Sequence, residues 1–156
     1  MKTTLPIGLL LGALLAFPAA AACNRPADSG PRVAQTMREI NAYRLSAGLP
    51  ALSKSAKLSR TAGAHACDMA RMGKYSHYGS DGSDLSRRVK AQGYRFRTAN
   101  ENVGKFRPTT NAANWWYGSA GHRHNILSPK IREVGFGVAL GADNRYYWVM
   151  VGGASR

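Results

Sequence analysis

The chain has 156 residues, with 22 Lys plus Arg against 8 Asp plus Glu, and a formal net charge of +14 at pH 7. That length makes one modest domain. With 44% hydrophobic and 19% charged residues the chain can bury a core, which excludes disordered and collagen-like proteins.

The first element is a targeting segment. Lys2 precedes an uncharged run, Thr3 to Ala22, that carries Leu9, Leu10, Leu11, Leu14, Leu15 and Phe17 and ends in Ala19 to Ala22. A charged start, a short apolar stretch and an Ala-x-Ala end are the parts of a secretory signal peptide over residues 1–22. A retained membrane helix needs about 20 unbroken apolar residues, and Pro6, Gly12 and Pro18 interrupt this run. The protein is therefore expected to be exported, either periplasmic or secreted. Cleavage after Ala22 leaves Cys23 at the mature terminus. Cys23 is expected to form a disulfide with Cys67, the only other thiol, because an oxidising compartment favours paired cysteines. Such a bridge stabilises by roughly 3–4 kcal/mol in the chain-entropy model. The alternative is lipoprotein anchoring through Cys23, although Ala20 stands where such boxes usually carry Leu.

Residues 23–31, with Pro26, Gly30 and Pro31, read as a leader segment, and the domain proper as 32–156. Val33, Met37, Ile40 and Leu45 recur near helical spacing until Gly48 and Pro50, which predicts a first helix over 32–47. A second helix, capped by Ser53, carries Leu58, Ala62, His65, Met69 and Met72 on one stripe and stops at Gly73. Residues 74–83 are turn-rich. Asp84 caps a short helix that Gly93 closes, and Tyr94, Phe96 and Thr98 alternate with Arg95 and Arg97 as a strand with one buried and one basic face. A third main helix spans 108–118, with one of Trp115 and Trp116 buried and the other lining a groove. Ser119 to Pro129 reads as a polar loop. Val134, Phe136, Val138 and Leu140 pair with Tyr146, Trp148 and Met150 in a hairpin across residues 141–144. Helices with mostly antiparallel strands make an α+β layered domain.

Arg87, Arg88, Lys90, Arg95, Arg97, Lys105 and Arg107 fall in one stretch whose only acid is Glu101. Such a face attracts anionic surfaces in a salt-dependent way, so association with a membrane surface or cell wall, as a basic adhesin, is one reading. No motif for nucleic acid is visible. Glu101, between small or apolar neighbours in an irregular segment, needs a partner, and His77 and His122 are the candidates. Two imidazoles and a carboxylate can hold Zn²⁺ or place a water for general-base work. His65 lies on the apolar stripe and reads as a core histidine. His124 reads as exposed.

The motifs His-Ala-Cys-Asp-Met-Ala (65–70), Ser76-His77, Glu101-Asn102-Val103, Ser119-x-Gly121-His122-Arg123-x-Asn125-Ile126-Leu127 and Glu133-Val134-Gly135-Phe136-Gly137 occur in this order. In this the chain resembles the CAP superfamily of cysteine-rich secretory, antigen 5 and pathogenesis-related proteins, above all its bacterial exported branch. The resemblance implies a three-layer α-β-α sandwich with a central antiparallel sheet. It also implies a cavity where two histidines and two acids meet, the histidines binding zinc in some members. Carried over, the histidines are His77 and His122, the first acid is Glu101, and Ser119 stands in place of the second. The expected site is therefore His77, Glu101, Ser119 and His122, with His77 and His122 as candidate metal ligands. The first expectation is a monomeric, non-enzymatic domain that binds an extracytoplasmic lipid, glycan or wall fragment. The alternative is a zinc-assisted hydrolase in which Glu101 activates water.

Overall fold

Two apolar layers sandwich a sheet whose central strand is buried on both sides. The computed structural model describes residues 23–156, so the signal peptide expected over 1–22 lies outside the described residues. In chain order the elements are α1 (Ser29–Ser46), β1 (Ser53–Lys54), α2 (Ala56–Met72), α3 (Leu85–Ala91), β2 (Phe96–Phe106), α4 (Ala112–Gly118), α5 (Ala120–Ile126), β3 (Glu133–Leu140) and β4 (Tyr146–Ser155).

The sheet order is β1-β3-β4-β2. The three long strands pair antiparallel, and two-residue β1 adds a parallel edge, Ser53 against Glu133 and Lys54 against Val134. The hairpin pairs Leu140 with Tyr146, Val138 with Trp148 and Phe136 with Met150, the side-chain partners that the period-2 pattern predicts. Asn144 takes the left-handed conformation its turn requires, with φ 56°.

Alternation along β4 divides the core. Tyr146, Trp148 and Met150 pack with Ile40 of α1, Ala112, Ala113 and Trp116 of α4, and Ile126 of α5. Tyr147, Val149 and Val151 pack with Leu58, Ala62, Ala66 and Met69 of α2 and Val89 of α3. On β3 the residues facing α2 include Gly135 and Gly137. A Cβ on Gly135 would lie 2.1 Å from the Ser59 backbone nitrogen, and one on Gly137 would lie 2.4 Å from the Ala62 carbonyl. The Gly-Phe-Gly pattern thus lets α2 lie directly on the sheet while Phe136 fills the opposite layer.

Several boundaries differ from the sequence expectation. α1 begins at Ser29, not 32, because Pro31 sits in the first turn, where its missing N–H has no intrahelical partner to lose. Ser55, not Ser53, caps α2 by accepting from the Leu58 N–H, since Ser53 is committed to β1. The third main helix starts at Ala112, where Asn111 accepts from the Asn114 N–H. β2 runs on to Phe106 and takes Glu101 into a regular strand, whereas the sequence reads as irregular there. The expected loop from Ser119 contains helix α5. The leader is tied to the domain. Cys23 and Cys67 form the disulfide, and the Asn24 carbonyl accepts from the Leu140 N–H at 2.8 Å. No described helix is long and apolar enough to cross a membrane.

Candidate functional site

The loop after α2 carries His77, β2 carries Glu101, and α5 carries His122 with Ser119 at its N-cap. The His77 Nδ1–H donates to Glu101 Oε1 at 2.9 Å, and the Arg88 guanidinium of α3 donates to Glu101 Oε2 at 2.8 Å. The Glu101 side chain is only 3% exposed while that of His77 is 57% exposed, so a buried carboxylate anchors a solvent-facing imidazole. Arg88 is the residue that sequence reasoning missed as a partner. It also donates to the carbonyls of His77 (3.0 Å) and Ser83 (2.6 Å), clamping the loop that presents His77. The available signal was a lone acid within a cationic stretch, but seven cations there made the choice of partner ambiguous.

His65 is buried in the core as expected, and it too acts on this loop. Its Nε2–H donates to the Ser76 carbonyl at 2.8 Å, immediately before His77. Burial pushes the His65 pKa down, outweighing the opposing pull of Glu101. The unfolded chain therefore takes up a proton near pH 6.5 while folded His65 resists it. Its contribution to stability is present above that pH and is lost as pH falls toward the depressed folded value. Chemical denaturation at pH 7 and pH 5.5 should show lower stability at the acid value, and His65→Gln should make that loss shallower. Equal pH slopes for the two proteins would contradict this account.

His122 differs from His77. Its Nδ1 lies 2.9 Å from Ser119 Oγ, and Ser119 thus occupies the orienting position without supplying a charge. Burial lowers the His122 pKa, as does the charge on nearby His77. The hydrogen bond to Glu101 raises the His77 pKa. One imidazole is therefore disposed to carry a proton and the other to stay neutral, and the two are close enough to sense each other.

α5 is stitched to β2 by amides. Asn125 Nδ2 donates to the Glu101 carbonyl (3.1 Å) and to Asn102 Oδ1 (2.9 Å), and Asn102 Nδ2 donates to the His122 carbonyl (3.0 Å). Both asparagines lie in the sequence motifs, but their pairing is visible only in three dimensions. Trp116 is fully buried and Trp115 is 48% exposed, its ring tilted against His122 with centroids 5.3 Å apart. Tyr75 and Tyr78, exposed at 60% and 63%, flank His77 in the chain. His124 is exposed.

For a metal, the chain offers the Nε2 atoms of His77 and His122. Among the described residues no group of three His, Cys, Asp or Glu side chains is arranged to hold an ion. Glu101 has each oxygen engaged, by His77 and Arg88. Two imidazoles fall short of the three protein ligands a catalytic zinc keeps, so the residues present do not fit such a centre and no step is derived through one.

A family model described as "Cysteine-rich secretory protein family" (CAP) matches residues 37–151. The curated relative YkwD of Bacillus subtilis (strain 168) is 33% identical over 98 residues, 62% of this chain and 38% of that protein. Among solved structures, an outer surface protein from Borrelia burgdorferi has a TM-score of 0.78 at 16% identity, covering 86% of this chain and 100% of that one. An extracellular protein containing a SCP domain from Bacillus anthracis str. Ames has a TM-score of 0.67 at 24% identity, covering 79% of this chain and 41% of that one. The chain thus spans well under half the length of YkwD and of the Bacillus anthracis protein, and at these identities the structural likenesses speak for the fold. With the family match running from α1 to β4 and across both histidine-bearing segments, the chain belongs to the CAP family of cysteine-rich secretory proteins.

Proposed function

We propose that this protein is an exported CAP domain that binds an extracytoplasmic ligand, a lipid, glycan or wall fragment, on the face shared by His77 and His122. The observation that carries this reading is the anchoring of both imidazoles through Nδ1, one to Glu101 and one to Ser119. That arrangement leaves each Nε2 to a ligand, with the His77 ring more disposed than the His122 ring to carry a proton. Exposed Trp115 adds aromatic surface beside His122, and exposed Tyr75 and Tyr78 lie within two residues of His77 in the chain, side chains suited to the apolar faces of a sugar or an acyl chain. Export is supported by the signal-peptide pattern, the disulfide, and the descriptions of relatives as an outer surface and an extracellular protein.

A hydrolase is the weaker reading because Glu101, its candidate base, is buried and has one oxygen held by His77 and the other by the Arg88 guanidinium. A free general base must reach the proton it removes. The test is calorimetry and NMR shift mapping with a panel of fatty acids, short glycans and wall fragments, alongside turnover assays. Binding without turnover is expected, weakened roughly tenfold in Trp115→Ala and lost in His77→Ala/His122→Ala. Turnover of any panel member that is lost in Glu101→Gln would overturn this reading, as would tight zinc binding that vanishes in both single histidine variants.

A further inference from the structure

A cavity of about 960 Å³ opens where α3 meets the start of β2, and shares no residue with the histidine face. Its wall includes Lys90 of α3, then Arg95, Phe96 and Arg97, and then Arg156. An adjoining cavity of about 510 Å³ shares Arg95 and Arg156 and adds Lys54 and Lys57. None of these six cations makes an ion pair among the described residues. Glu133 borders the second cavity, but the Tyr94 hydroxyl donates to its Oε2.

A regular strand sends Arg95 and Arg97 to one face and Phe96 to the other. Here the register against β4 shifts between Phe96, paired with Ser155, and Thr98, paired with Ala154. Arg97 is the extra residue of a β-bulge, a device that re-aims side chains, and three consecutive residues line one cavity. A solvated basic face spreads its charges over a convex surface. Converging them on a concave one raises their mutual repulsion and focuses the field on whatever enters. Guanidinium groups match phosphate oxygens two at a time, and the Phe96 ring beside them offers surface to an apolar attachment.

We infer that this cleft is a second binding site that takes the phosphate headgroup of an anionic phospholipid, with Arg95 and Arg97 as the phosphate clamp and Phe96 against the lipid's apolar part. The site does not depend on the proposed role of the histidine face. The test is co-sedimentation with phosphatidylglycerol-containing vesicles, with pure phosphatidylcholine vesicles as reference. Arg95→Gln/Arg97→Gln is compared with Arg38→Gln/Arg107→Gln, which removes the same charge from exposed positions on α1 and beyond the far end of β2. All four side chains are exposed, and thermal unfolding checks that both variants fold.

The cleft variant should bind the anionic vesicles about tenfold more weakly or worse, since each cation near such a surface contributes substantially, while the control changes less than about twofold. Equal losses in the two charge variants would reduce the effect to bulk charge and overturn the site. Soluble glycerol phosphate serves as the free-phosphate arm. If it shifts the Arg95 and Arg97 resonances while vesicles do not bind, the lipid assignment fails.

Discussion

Replacing Arg44 with Met should lower stability by about 3–5 kcal/mol and loosen α5, although Arg44 lies far along the chain from that helix. Arg44 is 0% exposed and forms no ion pair among the described residues. Its guanidinium instead donates to three carbonyls: Pro50 at 3.0 Å, Ile126 at 2.7 Å and Ser128 at 3.0 Å. Two of these lie at and just beyond the end of α5, where helical carbonyls have no intrahelical partner. Burial, reinforced by the charge on Arg132, pushes the Arg44 pKa down, a sign of how far the group is withdrawn from water. Met keeps much of the stem's packing but leaves the buried Ile126 carbonyl and the part-buried Pro50 and Ser128 carbonyls without their donor, at roughly 1–3 kcal/mol for the buried acceptor and less for the other two before relaxation. Urea denaturation gives the total, and hydrogen exchange of the α5 amides locates it. Arg44→Lys should lie between parent and Met, because an ammonium can still donate to some of the carbonyls. A loss below about 1 kcal/mol for Arg44→Met would show that α5 is held by Ile126 and the Asn125 amide instead.

Glu101→Ala should destabilise by a similar 3–5 kcal/mol, the usual cost of stripping one partner from a buried ion pair. Arg88, whose side chain is 11% exposed, would be left facing an empty, largely dry space. A specific marker accompanies the loss. The His77 pKa is raised chiefly by its hydrogen bond to Glu101, so in the variant the His77 titration followed by NMR should move down toward the ordinary imidazole value. The sign of the pH dependence follows. The His77–Glu101 contribution is fully present below about pH 6.5 and is lost as pH rises through the raised folded value. In Glu101→Ala that alkaline-side loss should disappear. Pairing the change with Arg88→Met should recover part of the stability, since a matched apolar replacement is far less costly than an orphaned charge. An unchanged His77 titration would detach His77 from Glu101 in solution.

The parts of the molecule legible in the sequence rest on short-range periodicity or forced choice. The stripe Leu58, Ala62, His65 and Met69 faces the sheet because helical spacing leaves it no other side. The β3–β4 pairing follows from alternation on both sides of a four-residue turn. Cys23 meets Cys67 because there is no third thiol. The illegible parts depend on contacts between distant segments. Leu45 fits the apolar repeat of α1 yet is 61% exposed, while its neighbour Arg44 is fully buried. Hydropathy alone cannot reveal that three stray carbonyls await a guanidinium there. α5 has seven residues, too few for a helical period to declare itself or for an isolated helix to persist. It exists because Arg44, Asn102 and Asn125 tie it down.

The sequence by itself determined the layered α+β class, the disulfide, the hairpin register and the candidacy of His77 as a partner for Glu101. Only the tertiary structure decided that Arg88 neutralises Glu101, that Ser119 orients His122 from a helix cap, and that a bulge gathers Arg95, Phe96 and Arg97 around one cavity. Local patterns record which face of an element avoids water. They do not record which of several like-charged side chains will be nearest once strands and helices far apart in the chain have packed, because that is set by distances the chain acquires only on folding.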